Sequence, residues 1–384
     1  MENIYSIIDN CVGCGACESL CPVNAIQITE NFEGFLYPEI DSSKCVNCGL
    51  CLKKCPSNNP VFSNSQKYCG GLKINEKTAL LESASGGACY ELSKHIIEKH
   101  NGVVYGCAWD DLTAKHVRVE TVAQLSKLQS SKYVQSNTIG VYKKVEEDLK
   151  SQVVLFIGTP CQVNGLKCYL GKDYENLYTV GLICHGVPSP KLFKNYLKYL
   201  ESKKGSKIIE YNFRYKKKKG WGTNFWFKCE NGKEYTGSMS LDKYGSDFLA
   251  GKNYRSSCYD CKYCNVNSRP EDITVGDFWG LMGVNSSFYS EDGVSSIICH
   301  NEKGMQLIKS LNEIEFFECE SEKIVKNQHN LVKPTNKPET RDGYYKNIDG
   351  DFFKNKKVGF KIKDRIIAIM PKALIKLAKK IKHI

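Results

Sequence analysis

The sequence contains no apolar run of membrane-spanning length and no signal-peptide-like apolar segment before Cys11. A helix that crosses a bilayer needs about 20 apolar residues, and a secretory signal needs an apolar core near the N-terminus. We therefore expect neither membrane spanning nor export. In a cytoplasmic chain the 20 cysteines would serve as metal ligands or redox groups, because the cytoplasm keeps thiols reduced.

Most of the chain also lacks an excess of charge, although the formal net charge is +12. From Lys354 to the end there are 11 Lys and Arg against the single acid Asp364, which leaves 43 basic and 41 acidic residues elsewhere. Nucleic-acid binding needs a concentrated basic surface, so we expect no nucleic-acid partner. The length of 384 residues and the 41% of apolar residues predict a globular chain of two or three domains.

Two copies of one cysteine pattern occupy residues 11–56. Three cysteines two residues apart bind one cubane iron-sulfur cluster, and a fourth cysteine, followed by Pro22 or Pro56, binds the other cluster. Disulfides and zinc are disfavoured, since the final spacing before proline is not a zinc-finger spacing. The pattern predicts two 4Fe-4S clusters with crossed ligands: Cys11, Cys14, Cys17 and Cys55 for cluster one, and Cys45, Cys48, Cys51 and Cys21 for cluster two.

Apolar runs that end in small-residue turns follow this region. Val153 to Ile157 is a continuous apolar run, typical of a parallel strand covered on both faces, and Tyr178 to Ile183 repeats the arrangement. The first run leads to Cys161 and the second to Cys184. Because α/β domains bind ligands at the carboxyl ends of such strands, both cysteines are candidate site residues. A buried structural cysteine is the simpler interpretation of each.

Ser83 to Gly87 is a turn of small residues before a predicted helix at 88–99. Free N–H groups at a helix start suit a phosphate, although an ordinary capped helix explains the same residues. Further on, aromatic and charged residues alternate from Ile208 to Thr236, with a predicted hairpin turn at Asn231 and Gly232. The four lysines at 216–219 predict a solvated loop or, more specifically, a clamp for an anionic ligand.

A third cysteine group, Cys258-x2-Cys261-x2-Cys264, lacks a local fourth ligand. Its spacing fits either zinc or part of an iron-sulfur cluster. The C-x3-C-x2-C pattern of radical S-adenosylmethionine enzymes is not found in the sequence. The residues alone leave both metal alternatives open.

Taken as a set, the motifs resemble the coenzyme F420 hydrogenase/dehydrogenase beta-subunit family, in the form that carries a fused N-terminal dicluster ferredoxin. The motifs that carry the resemblance are Ser83 with Ser85 to Gly87, Gly158 to Gln162, Gly165 to Lys167, Cys184 to Ser189, Arg214 to Trp221, Cys258 with Cys261, and Asp272 to Gly280. The match runs from about Tyr68 to Gly280, with the ferredoxin in front.

The resemblance implies FAD and a third 4Fe-4S cluster, and it assigns the following residues. The ligands that fit the third cluster are Cys161, Cys184, Cys258 and Cys261, with Cys264 as an alternative to one of them. The implied flavin contacts are Ser83, Ser85, Gly86, Gly87, Gly158, Thr159, Pro160 and Gln162. His185 and Lys216 are candidate catalytic residues, as proton donor or anion contact, and a structural role for His185 is equally consistent with the sequence.

The predicted fold class is α+β: a dicluster ferredoxin fold at residues 1–60, then a mixed α/β flavin-binding domain with an additional β-hairpin region at 68–320. Residues 57–70 read as a linker, and 321–384 as a C-terminal extension. Its tail, from Ile362 to Ile384, has apolar and basic residues at helical spacing, with a kink at Pro371. This tail predicts either peripheral contact with an anionic membrane or a solvated or packed segment.

The predicted function is that of an iron-sulfur flavoprotein oxidoreductase, which converts between hydride transfer at FAD and single electrons on clusters. Its expected partners are a small-molecule hydride donor or acceptor and a redox protein such as a ferredoxin or another oxidoreductase subunit. Coenzyme F420 is one possible substrate, and a surface-polysaccharide pathway is another setting found among relatives. The alternatives are a non-catalytic electron-transfer subunit and a binding module that has lost its flavin.

Overall fold

The structure is a computed structural model, and it describes residues 3–62 and 66–358. The strands in these residues are β1 (Ile26–Glu30), β2 (Leu36–Ile40), β3 (Tyr68–Ile74), β4 (Val103–Asp110), β5 (Thr113–Val119), β6 (Val154–Gly158), β7 (Leu177–Leu182), β8 (Ile208–Asn212), β9 (Asn224–Cys229), β10 (Glu234–Ser238), β11 (Ile273–Asp277), β12 (Ser295–Cys299) and β13 (Ile314–Glu318).

The α-helices of the same residues are α1 (Ala16–Leu20), α2 (Leu50–Lys53), α3 (Lys77–Glu82), α4 (Ala88–His100), α5 (Val141–Asp148), α6 (Pro160–Leu170), α7 (Pro190–Lys204), α8 (Gly245–Leu249), α9 (Glu302–Lys309), α10 (Ser321–Val325), α11 (Arg341–Tyr344) and α12 (Phe352–Asn355). Short 3-10 helices occur at Ile4–Asn10, Val122–Lys127, Met239–Leu241, Ser256–Asp260, Leu281–Gly283 and His329–Leu331. No helix of this described part is long and apolar enough to span a membrane.

The cysteine-rich N-terminal region repeats one small unit. Each motif contains a short helix, α1 or α2, that begins after a glycine in the left-handed conformation: Gly15 at φ +77° and Gly49 at φ +71°. This conformation strains residues with a Cβ and is free for glycine. β1 pairs with β2 in an antiparallel hairpin between the two motifs. The predicted dicluster ferredoxin fold is confirmed.

A mixed sheet forms the centre of the molecule. Within the described residues it has eight strands in the order β13-β3-β12-β11-β7-β6-β4-β5. β4, β6, β7 and β11 run parallel, and the pairs at the two sides are antiparallel. Since parallel strands end at the same edge, the turns after β6, β7 and β11 lie side by side. The predicted mixed α/β architecture is therefore confirmed.

The interior of this sheet explains the continuous apolar run of β6. Val154 and Phe156 pack on one face, in the core under α5 and α6, whereas Leu155 and Ile157 pack on the other face with residues of α4 and α9. Successive side chains of a strand point to opposite faces, so a strand covered on both sides must be apolar throughout. The first of these cores also contains Cys14 and Ala16, which places the ferredoxin region directly against the sheet domain.

A smaller antiparallel sheet, β10-β9-β8, carries the predicted hairpin turn, with Gly232 at φ +79°. Its aromatic core takes up residues from the described part of the C-terminal extension, including Tyr345 and Phe353. From this extension, Arg341 also forms a bidentate ion pair with Glu33 of the ferredoxin region, at 2.8 and 2.7 Å. The predicted basic tail helix from Ile362 to Ile384 lies outside the described residues.

Candidate functional site

The thiols predicted for cluster one lie together in the structure. Burial raises the pKa of the Cys14 thiol well above its ordinary value, and the nearby thiols of Cys55, Cys17 and Cys11 raise it further. The pKa of Cys17 is raised by burial and by Cys11 and Cys55. Cys55, from the second motif, thus lies beside the first three cysteines. Bound iron would supply the positive charge that these crowded thiolates need, so the residues fit the predicted cluster.

Backbone N–H groups approach two sulfur atoms of the first motif, one predicted for each cluster, as hydrogen bonds that would stabilise charge on a cluster. Gly13 N donates to Cys11 Sγ at 3.4 Å, and Ala25 N donates to Cys21 Sγ at 3.2 Å. Of the thiols predicted for cluster two, Cys48 is exposed to solvent. Cluster two is therefore the more accessible end of the ferredoxin region.

The four cysteines assigned to the third cluster also come together, although they are far apart in the sequence. Cys161 lies in the first turn of α6, Cys184 follows β7, and Cys258 lies in the 3-10 helix 256–260, shortly before Cys261. We call this group the interior cage. Burial raises the pKa of Cys184 well above its usual value, and Cys258, Cys161 and Cys261 add to the shift. Burial likewise raises the pKa of Cys258 to about 12, with Cys261 and Cys161 as its nearest charge partners.

Cys264 lies next to Cys261 and also lies close to Asn330. The pKa of Cys261 is raised by a hydrogen bond with Cys264 and then by burial. Asn330 Nδ2 lies 3.9 Å from Cys264 Sγ. In residues 3–62 and 66–358, no three His, Cys, Asp or Glu side chains are placed to ligate a single metal ion. A four-iron cluster occupies the space between its ligands, so its thiolates stand further apart than those around one ion.

A cavity of about 460 Å³ opens beside the interior cage. Cys161, Cys184, Cys258 and Cys261 line one part of it, and Val12 and Gly13 of the ferredoxin region also contribute to the wall. Pockets for small molecules and cofactors usually measure about 300–1,000 Å³. The cavity is thus of ligand size and touches both cysteine-rich parts of the chain.

Most of the predicted flavin contacts line this cavity: Ser83, Ser85, Gly87, Gly158, Thr159, Pro160 and Gln162. Gly86 is placed differently, because a Cβ there would collide with Leu72 O and Ser295 N of the neighbouring strands. Gly86 therefore allows the turn to pack closely on the sheet. The Gln162 side chain accepts from Thr159 N at 3.0 Å and completes a capping box at the start of α6.

The start of α4 suits an anionic group. Its N-cap is Gly87, at φ +87°, and no side chain caps the helix there. The first N–H groups of an uncapped helix are free to bind an anion, and the helix dipole favours negative charge at this end. Ala88, Cys89 and Tyr90 line the cavity from this first turn.

The two predicted catalytic residues occupy different positions. His185 lines the cavity, its ring stacks 6.4 Å from that of Phe248, and burial lowers its pKa, so it is neutral at pH 7. Lys216 is only 1% exposed, and its ammonium donates to Ser85 O at 2.7 Å and to Asp292 O. Burial lowers the pKa of Lys216 to about 7. Lys216 thus holds the serine-glycine turn through the Ser85 carbonyl. Lys217, Lys218 and Lys219 are exposed, as expected for a solvated loop.

Sequence reasoning missed two basic residues of the cavity wall, Lys132 and Arg255. Lys132 donates to a ring of carbonyls, including Gln129 O at 2.8 Å, and burial lowers its pKa to about 8. The other arginines of the wall are paired, Arg214 with Asp277 and Arg269 with Glu271. Lys132 and Arg255 therefore give the cavity a net positive charge. Arg255 lies three residues before Cys258, which was the only sequence signal for it.

The cavity also contains a buried histidine that the sequence did not single out. His116 Nε2 lies 3.0 Å from Ile157 O, and Nδ1 lies 2.6 Å from Ser136 Oγ. Since a carbonyl can only accept, Nε2 carries the proton and Nδ1 accepts from the serine. Burial lowers the pKa of His116 to about 4, so the ring is neutral. Its contacts identify His116 as a structural residue of the wall.

Comparison with known proteins places the two cysteine-rich parts in known families. Residues 151–324 match the family model for the C terminus of the coenzyme F420 hydrogenase/dehydrogenase beta subunit. Residues 10–59 match the 4Fe-4S dicluster domain. The two matches support an iron-sulfur protein of the oxidoreductase type.

Among solved structures, the chain is similar to a chain of the F420-reducing NiFe hydrogenase complex from Methanosarcina barkeri. The two share 21% sequence identity, and the similarity covers 69% of this chain and 91% of that chain, with a TM-score of 0.46. No curated protein matches the sequence.

The beta-subunit family region contains all four cysteines of the interior cage. The uncapped start of α4 and Lys132 come from residues before the family region, and Val12 and Gly13 come from the dicluster domain. The cavity wall thus combines the family region with two neighbouring segments of the chain. This explains why the family region alone does not enclose it.

Proposed function

We propose that the chain is a flavin-dependent iron-sulfur oxidoreductase. In this proposal FAD binds in the cavity, the interior cage holds a third 4Fe-4S cluster, and the dicluster domain connects these centres to a redox partner. The observation that carries the proposal is the position of one ligand-sized cavity between the interior cage and the cysteine-rich N-terminal region. Three parts of the chain, acting as ferredoxin (1–60), catalytic domain (68–320) and extension (321–384), would cooperate there.

The features of the cavity that support FAD are an anion site and a positive wall. The first turn of α4 offers free N–H groups at a small-residue turn, which suits a phosphate of the cofactor. Lys132 and Arg255 add positive charge that no carboxylate offsets among the ion pairs of the described residues. Charge near a flavin ring is one way in which a protein tunes its electronic properties.

The proposed electron path between the interior cage and cluster one follows α6. Cys161 stands at the start of this helix, and one turn later Gly165 packs against Cys14, a predicted ligand of cluster one: a Cβ there would lie 2.9 Å from Cys14 Sγ. The interior cage and cluster one therefore lie against the same helix. Bound flavin would supply the change between two-electron and one-electron chemistry. The chain would hold the centres close together and shield the interior ones from water.

His185 and Lys216 remain candidate catalytic residues in different senses. His185 is neutral and lies on the cavity wall, so it can donate or accept one proton beside a bound ligand. Lys216 acts through Ser85 and is better placed to position the turn than to touch a substrate. The substrate would be a hydride donor or acceptor such as coenzyme F420. A role in a surface-polysaccharide pathway remains a prediction from the resemblance.

An anaerobic preparation tests this proposal. We expect about twelve iron atoms per chain, the content of three four-iron clusters, with one flavin. A screen of reduced deazaflavin, NADH, NADPH and reduced ferredoxin for flavin bleaching would then identify the donor. Bleaching by a diffusible small molecule supports the enzyme. Bleaching by a protein donor alone would favour the non-catalytic subunit, and absence of flavin would overturn the proposal.

A further inference from the structure

Arg255 lies where the dicluster domain meets the interior cage, and it is fully buried. Its backbone belongs to the cage: Arg255 N donates to Val187 O at 2.9 Å, three residues after Cys184. Its carbonyl accepts from Cys258 N, also at 2.9 Å. The main chain of Arg255 is thus fixed to two of the segments that supply cage thiols.

The side chain of Arg255 lies between the interior cage and the dicluster domain, and its hydrogen bonds reach the dicluster domain. Nε donates to Cys11 O at 2.6 Å, and Nη1 donates to Leu36 O at 2.9 Å. The guanidinium also stacks 3.9 Å from the centre of the Tyr37 ring. Gly13 leaves room for this arrangement, since a Cβ there would approach Nη1 to 3.0 Å.

One part of the guanidinium is left without a partner. Nη2 is buried and has no hydrogen-bond partner among the described residues. A buried unpaired N–H is costly and calls for an acceptor. Arg255 lines the same cavity wall as Cys161 and Cys258. An acceptor in this space, such as a sulfur of a cluster in the interior cage, would satisfy the group.

We propose that Arg255 is a positioning residue whose positive charge raises the reduction potential of the third cluster while its side chain clamps the Cys11 loop against it. This inference rests on the proposed third cluster. An electron that enters a cluster adds negative charge, and a nearby cation stabilises that charge more strongly in a dry interior than in water. Loss of the charge should therefore make the third cluster harder to reduce.

The test compares full-length proteins that differ at this position. R255Q removes the charge, and R255K keeps it with a shorter donor. The matched control is the double variant E33Q/R341Q, which removes the other buried arginine contact between the dicluster domain and the rest of the chain. Because it replaces both partners of an ion pair, the control changes no net charge. Iron content and EPR-monitored redox titration are measured for each, and the signal missing from C184S identifies the third cluster.

We expect R255Q to retain about twelve iron atoms and to shift the one-electron reduction equilibrium of the third cluster at least tenfold toward the oxidised form, about 59 mV. R255K and the control should stay within threefold of the wild type. An unchanged potential in iron-replete R255Q, or an equal shift in R255K, would overturn the role of charge. If R255Q loses its iron, a shift of tenfold or more in R255K, which keeps the charge, would overturn the role of charge instead. Wild-type protein with only about eight iron atoms would instead refute the third cluster, and this inference with it.

Discussion

The dicluster domain and the interior cage each gather cysteine thiols, but they draw them from very different lengths of chain. The eight cysteines of the dicluster domain lie within residues 11–55, and the cage takes its four from segments at 161, 184 and 258–261. The first arrangement depends on local turns, such as the left-handed Gly15 and Gly49. In the second, Cys161 and Cys184 depend on the parallel register of β6 and β7, and the segment of Cys258 is held by the hydrogen bond from Arg255 N to Val187 O. A local cage can be recognised from spacing, whereas a long-range cage requires the fold.

The largest expected effect separates the two kinds of cage. C184S should remove the third cluster, about four of twelve iron atoms, and leave both ferredoxin clusters in place. The control C264A should keep all twelve, since Cys264 faces Cys261 and Asn330. Iron analysis and EPR of the reduced protein measure both. Loss of iron in C264A with full retention in C184S would reverse the ligand assignment.

A chelator should remove iron from the dicluster domain faster than from the interior cage, because the two differ in solvent exposure. Cys48 of cluster two is exposed, while burial dominates the environment of Cys184 and Cys258. With an oxidant and a chelator present, we expect the EPR signal of cluster two to disappear first, at a rate roughly tenfold or more above that of the third cluster, since a buried site must open before it loses metal. EPR of samples withdrawn over time and reduced again with dithionite follows this loss. Simultaneous loss of all signals would mean that the clusters fail as one cooperative unit.

A single added Cβ can disturb α6, the helix between the interior cage and the dicluster domain. G165A places a Cβ 2.9 Å from Cys14 Sγ and 2.8 Å from Tyr142 Oη, so we expect a destabilisation of about 1–3 kcal/mol. The EPR signal of cluster one should change more than that of the third cluster. The matched control is G343A, because a Cβ at Gly343 meets no atom within 4 Å. Thermal unfolding measures the stability of both variants, and equal effects would refute direct packing of α6 on cluster one.

The smallest expected effect is that of Lys132 on flavin binding in the cavity beside the interior cage. Burial lowers the pKa of Lys132 to about 8, so its charge is present at pH 7 and disappears as the pH rises above 8. Flavin affinity of the wild type should therefore fall between pH 7 and 9.5, by roughly tenfold, or about 1.4 kcal/mol. K132M should bind weakly and show little pH dependence. K127M, which alters an exposed lysine of the same loop, should behave as the wild type in fluorescence titrations.

The comparison also explains what could be predicted from the sequence. The strand ends at Cys161 and Cys184 were predicted correctly, because an apolar run followed by a small-residue turn is a local signal. The third group, Cys258 to Cys264, lacked a fourth ligand in the sequence, and only the resemblance supplied one. Spacing cannot show that residues about a hundred positions apart share one cage. Sheet order brings Cys161 and Cys184 together, and a loop contact adds the segment of Cys258.

For the same reason, local sequence patterns could not show which single basic residues are buried. Lys216 heads a run of four lysines, yet it alone is buried, with its ammonium on Ser85 O and Asp292 O. Arg255 and Lys132 stand among ordinary polar neighbours, and their charges matter because surrounding elements remove them from water. The sequence records the residue type, and tertiary packing decides its environment.

The ion pair between Glu33 and Arg341 has a consequence for how the protein is made. Its partners are 308 residues apart, so a ribosome must add nearly the whole chain before the contact can form. At roughly 5–20 residues per second, this interval is about 15 to 60 s. During that time the dicluster domain lacks the ion pair that later joins it to the extension.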